Sequence, residues 1–198
     1  MSTLELIRKI AFTGLTVVAS VVVPVHSLVA QEREGEHAAA VSITAQYLAD
    51  LENLESKFLA LADAMSAEQY TWRPMEGVRS VSEVFMLIVA ENYVVPAAWE
   101  AAPPEGMEVG PQLFGTLPEV TDKTEVLDHL RKSFAYYKSV VGELSDEKLH
   151  STIQFFGGER SVNDAVFLIQ TDMHEHLGQA IAYARVNHVV PPWSMPGN

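Results

Sequence analysis

The stretch Leu127-Asp128-His129-Leu130-Arg131-Lys132-Ser133-Phe134-Ala135-Tyr136-Tyr137-Lys138-Ser139-Val140-Val141-Gly142-Glu143-Leu144 carries the cleanest periodicity in the chain. Leu127, Leu130, Phe134, Tyr137, Val141 and Leu144 recur at alternating steps of three and four. That spacing lines six apolar side chains along one stripe of an α-helix. A strand would need alternation at every second residue, and none of the chain shows it convincingly. Such a stripe is stable only when buried against partners, so the stretch predicts a bundle of helices.

Working outward, three more helices can be read. Upstream, Tyr47, Leu51, Leu54, Phe58, Leu61 and Met65 repeat the same steps and predict a helix over about 38–65, with Glu55 and Asp63 facing elsewhere. Ser66 with Gln69 three residues on forms a capping box for one short turn, which Trp72-Arg73-Pro74 ends. After Gly77, Ser80 with Glu83 makes a second box and opens a helix to about Trp99. Val81, Val84, Phe85, Ile88 and Val95 supply its apolar face, and Pro96 disturbs its last turn. Residues 102–120 are rich in proline, glycine and acids and read as a long loop, either functional or merely connecting. The stripe helix then starts near Thr121 or Asp122. Downstream, Ser145 with Asp146 and Glu147 caps another short turn, and Phe155-Phe156-Gly157-Gly158 reads as a connection. Ser161 with Asp164 opens the last helix, which runs to about Asn187 before Pro191-Pro192 forbids continuation. The expected fold is all-α: a four-helix bundle with short extra helical turns in its connections. Long helix, short turn, loop and long helix occur twice in that order, which suggests two related pairs.

Composition narrows the function. The 198 residues include 13 Lys and Arg against 26 Asp and Glu, a formal charge of −13. Nucleic acid is excluded as a partner, since a binder must neutralise phosphates with clustered basic residues. There are no cysteines, so thiol nucleophiles, cysteine zinc sites and disulfides are excluded together. At the N-terminus Arg8-Lys9 precedes an apolar run over 10–30 that ends in Leu28-Val29-Ala30 and gives way to Gln31-Glu32-Arg33-Glu34. A basic start, an apolar stretch and a small residue before a polar segment predict a secretory signal over 1–30. Its small residues and Pro24 favour cleavage after Ala30 over an uncleaved membrane anchor. The expected product is exported, periplasmic or secreted, with no stable membrane association after cleavage. It would comprise a short flexible start over 31–37 and one bundle domain over 38–198.

The chemistry concentrates in Thr171-Asp172-Met173-His174-Glu175-His176-Leu177-Gly178-Gln179. At about 100° per residue, Asp172 and His176 lie only about 40° apart, whereas His174 points away from both. A carboxylate and an imidazole one turn apart can grip one metal ion or simply hydrogen-bond to each other. Both lie at one edge of the apolar arc made by Ala165, Val166, Ile169, Met173, Leu177, Ala180 and Ala184, beside Tyr183. His129 and His150 read as surface histidines with no second ligand at metal spacing. Ser80 and Ser161 read as helix caps rather than nucleophiles, and Trp193 as a packing anchor for the C-terminus.

Trp72-Arg73-Pro74, Gly77-Val78-Arg79-Ser80, Glu175-His176-Leu177-Gly178-Gln179, Ile181-Ala182-Tyr183-Ala184-Arg185 and Val189-Val190-Pro191-Pro192-Trp193-Ser194 together resemble the DinB-like proteins. The resemblance runs in order through the chain after the signal. It implies a four-helix bundle, frequently a homodimer, in which many members hold a divalent metal with three histidines. One of these lies on the second helix and two lie at i, i+4 on the fourth. Characterised branches include metal-dependent thiol transferases. By position the ligand places here are Leu87, Asp172 and His176, so only His176 keeps the expected type. Asp172 can ligate zinc, nickel or manganese; Leu87 ligates nothing. Two ligands would hold a metal weakly or not at all, unless Glu91, one turn past Leu87, or a partner subunit adds a third. The resemblance thus implies a metal-dependent thiol transferase or hydrolase with Glu175 or Glu91 as base. Its alternative is a bundle that has lost its metal and serves as a small-ligand-binding or dimerisation module.

Overall fold

The computed structural model describes residues 41–195. The expected signal over 1–30, the segment 31–37 and the expected start of the first helix at 38 lie outside the described residues. Within them six α-helices follow in order, four long and two short. They are α1 (Ile43–Ala64), α2 (Val81–Val94), short α3 (Leu113–Thr116), α4 (Lys123–Gly142), short α5 (Asp146–His150) and α6 (Val162–Val186).

Each long helix begins where a side chain satisfies its free N–H groups. Ser42 accepts from the Ala45 amide, and Asp122 from those of Thr124 and Glu125. The boxes Ser80/Glu83 and Ser161/Asp164 are both closed in both directions. The Ser66/Gln69 box opens a 3-10 turn, Ala67–Thr71. Just past the end of α6 and its Asn187 cap, the φ of 60° at His188 lets the Val189 amide reach back to the Ala184 carbonyl at 2.8 Å.

The long helices close a ring. α1 packs on α4 and α6, and α2 packs on the same two, so α1 and α2 stand diagonally opposite. The predicted stripes form the core: all six of the α1 positions are buried, as are Leu127, Leu130, Phe134, Tyr137 and Val141 of α4. At the centre Phe58 lies 6.3 Å from Phe85 and 5.9 Å from Phe134, tying α1, α2 and α4 together. The run Val81–Trp99 is apolar enough to cross a membrane by length and composition, yet most of it is buried within the bundle. Only Glu83, Leu87, Glu91 and Val94 form a half-exposed stripe on α2.

Three connections differ from expectation. The α-helical bonding of α2 stops at Val94, and a 3-10 turn over Val95–Trp99 follows, because Pro96 has no N–H to give. The 102–120 loop contains α3 and a 3-10 turn, Leu117–Glu119, whose Leu117 is buried against α2. The Phe155–Gly158 connection is a hairpin: β1 (Thr152–Phe155) pairs antiparallel with β2 (Gly158–Ser161) around Phe156-Gly157. Four-residue strands are too short to show alternation, and their turn places both Phe156 and Gly157 at positive φ.

Candidate metal centre

Glu91 stands on the half-exposed stripe of α2, one turn beyond Leu87. Opposite it, α6 presents Asp172 and His176, also one turn apart. One ligand-capable atom from each of Glu91, Asp172 and His176 lies within 4.8 Å of the other two. Nε2 of His176 is 3.4 Å from Oδ2 of Asp172. The other ring nitrogen, Nδ1, is 2.9 Å from Oε1 of Gln179, and Gln179 donates through Nε2 to the Tyr183 hydroxyl at 2.8 Å. An amide oxygen can only accept, so Nδ1 donates to Gln179, and Nε2, turned towards the carboxylates, is the nitrogen that a neutral imidazole would offer to a metal. Tyr183 is held in turn by the edge of Trp72, 5.3 Å between ring centres. Residues that looked like family signature in the sequence thus orient the imidazole.

Among the carboxylates of the described residues, Glu91 is the one clearly pushed upward. Oε2 of Glu91 and Oδ2 of Asp172 are buried and have no hydrogen-bond partner. An orphaned buried acceptor costs about 1–3 kcal/mol, more when charged. Burial, followed by the charge of Asp172, pushes the Glu91 carboxyl up to about 8, against a weaker pull downward from Arg79. Two such acids tolerate each other by sharing a proton or by sharing a cation. Two carboxylates and one imidazole fit a divalent ion of the zinc, nickel or manganese kind.

The remaining sequence candidates distribute as follows. Leu87 is half-exposed on the same stripe and offers no ligand, and of the two expected sources of a third ligand it is Glu91 that lies near Asp172 and His176. Glu175 is exposed and lines a cavity of about 280 Å³ with Glu91, Asp172 and Arg160. His174 faces away, 3.0 Å from Asp50 of α1. Nδ1 of exposed His150 donates to the Asp146 carbonyl at 2.6 Å, and neither it nor His129 joins the cluster. Trp193 packs at the core's edge, with the Lys57 ammonium 6.0 Å from its ring centre. Sequence reasoning missed the Gln179–Tyr183–Trp72 chain, because contact between a turn and a helix over a hundred residues apart leaves no periodic trace. A model of the DinB superfamily matches residues 50–180.

The chain belongs to the DinB superfamily.

Solved DinB-like structures agree with it in fold. A DinB-like protein from Bacillus cereus is 16% identical, with a TM-score of 0.62 over 74% of this chain and 93% of that one. A DinB-like protein from Bacillus subtilis is 18% identical, with a TM-score of 0.57 over 72% and 92%. A conserved protein from Enterococcus faecalis is 18% identical, with a TM-score of 0.59 over 74% and 98%. No curated protein matches the chain significantly. Identities this low carry the DinB-like bundle alone; the chemistry must come from this chain's own residues.

Proposed function

We propose that this DinB-like chain is an exported metal-dependent enzyme, a hydrolase in preference to a thiol transferase, that holds one divalent ion between Glu91, Asp172 and His176. The observation that carries the reading is that Glu91 and Asp172 each bury an oxygen without a hydrogen-bond partner, while one ligand-capable atom of each lies within 4.8 Å of one on His176. Bound there, such an ion would polarise a substrate oxygen and lower the pKa of a coordinated water or thiol. The residues do the rest. Gln179 and Tyr183 hold the imidazole in one tautomer. Glu175, exposed on the same cavity, is placed to take up and return a proton at its carboxylate. Export is supported by Arg8-Lys9, the apolar run over 10–30 and Ala30. It is the reason to prefer hydrolysis, because cytosolic low-molecular-weight thiols would be scarce outside the cytoplasm. A homodimer, as the family resemblance implies, and a small-molecule ligand complete the reading. The rival reading, a bundle that has lost its metal, drew its force from Leu87; Glu91 one turn away removes most of it.

Titration calorimetry with zinc and nickel on protein purified without tag or chelator tests the centre. One ion should bind per chain, and Glu91→Gln, Asp172→Asn and His176→Ala should each weaken it by about tenfold or more, while His174→Ala should not. Tight binding that survives His176→Ala would place the ligands elsewhere. Sequencing of the exported protein should start at or near Gln31; intact Met1 in a membrane pellet would overturn the export reading.

A further inference from the structure

Two clefts open on either side of Glu91 and meet at Phe156. The first, about 310 Å³, is walled by Val94, Val95 and Ala98, by Phe114 of α3, and by Phe155 and Phe156 of the hairpin. Apart from Glu91 it presents no charged side chain. The second crosses Asp172 to Arg160 and Glu175. Cavities of this size and apolar character with a few convergent polar groups are where small ligands bind.

Phe156 takes a conformation that the tight hairpin turn demands and that a bulky side chain resists. Its φ is 47°, a left-handed value that costs a bulky L-residue about 1–2 kcal/mol and that asparagine or glycine would adopt more cheaply in this turn. Its side chain is 77% exposed, so burial does not offset that strain. Phe114, across the apolar cleft, is 41% exposed. The Phe156 ring rests against that of neighbouring Phe155, 4.4 Å between centres, and a strained aromatic that is still mostly wet beside a polar site points to a ligand as a further partner. Arg160, at the far side, forms no ion pair among the described residues, although the chain holds twice as many acids as bases. Arg160 is the one basic residue lining either cleft, and a guanidinium is the side chain that best receives an anionic group.

We propose that the substrate of this centre is a small amphipathic anion: its uncharged tail lies between Phe114 and Phe156, and its anionic group lies towards Arg160. The assignment rests on the metal-centre reading, because Glu91 lines both clefts and Asp172 lines the second, which places the molecule's middle beside two of the three ligand candidates. Phe114 and Phe156 are then specificity residues, contributed by the loop and the hairpin rather than by the bundle.

Calorimetry on the full chain, metal-free and zinc-loaded, with octanoate, octan-1-ol and acetate as probes tests it. Octanoate should bind at least about tenfold more tightly than acetate, since its chain carries the apolar contact. Phe156→Gly should weaken octanoate about tenfold while leaving zinc affinity unchanged and the thermal midpoint no lower, since it relieves strain. Arg160→Gln should weaken octanoate and leave octan-1-ol unaffected. Octanoate no tighter than acetate in both metal states, or unaltered by Phe156→Gly, would overturn the cleft assignment. Insensitivity to Arg160→Gln would overturn the anionic end. Zinc binding without octanoate selectivity sinks this inference alone, whereas octanoate selectivity without zinc binding sinks the metal reading and supports the cleft.

Discussion

In the first half of the bundle Ser66 and Gln69 cap a short turn, the Trp72 carbonyl accepts the Val81 amide at 3.0 Å, and Ser80 with Glu83 opens α2. In the second half Ser145 caps a short turn, the Ser151 carbonyl accepts the Val162 amide at 3.0 Å, and Ser161 with Asp164 opens α6. The plan is the same, and so is the register. Glu91 and Asp172 each lie eleven residues after their capping serine, and Leu87 and Leu168 each lie seven after it. The halves diverge at two points. His176 stands where the first half has Val95, and a hairpin with Phe156 at its tip occupies the second connection only. The repeat brings two equivalent carboxylates face to face; the departures add the imidazole and one wall of a cleft.

The harshest way to break this pairing is at its shared centre. Phe58→Ala should cost about 3–5 kcal/mol in urea denaturation, because the ring contacts Phe85 of one half and Phe134 of the other. A loss below about 1 kcal/mol would mean that the halves pack independently.

Next in size is the pH response of the facing acids. Glu91 is raised from its ordinary value near 4.5 to about 8, so the folded metal-free protein holds a proton there that the unfolded chain releases. That stabilisation is complete below about pH 4.5 and is lost as pH rises through about 8. The thermal midpoint of metal-free protein should therefore fall across that window, and Glu91→Gln should flatten the fall. Zinc affinity should move oppositely, rising as Glu91 gives up its proton. A flat profile for both quantities would mean that Glu91 and Asp172 do not confront each other as drawn.

The smallest effect compares the caps. Ser80→Ala and Ser161→Ala should each cost about 1 kcal/mol, since each serine accepts one amide and receives a reciprocal carboxylate. Similar values would support the repeat. A much larger loss at Ser80, which is buried beside Ser82, would show how far its surroundings break it.

Much of this protein could be read without coordinates. Six positions on α1 and five on α4 predicted to be buried are buried, because a stripe at steps of three and four has one stable place, against other stripes. The capping boxes located three helix or turn starts, since capping is local chemistry between residues three apart. Asp172 and His176 share a face by helix geometry alone. The fold and the half-site on α6 were determined at that level.

Tertiary structure decided the remainder. Glu91 was one of two ways to replace Leu87, and only the packing of α2 against α6 brings it within reach of Asp172 and His176. The hairpin escaped detection because four-residue strands are too short for a period, so its pairing depends on the turn at Phe156-Gly157. Which nitrogen of His176 faces the carboxylates depends on Gln179, Tyr183 and Trp72 in series, the last from the other half of the chain. Contacts within one helix are written in spacing. Contacts between helices depend on how far each is turned about its axis, and the sum of all the buried stripes settles that angle.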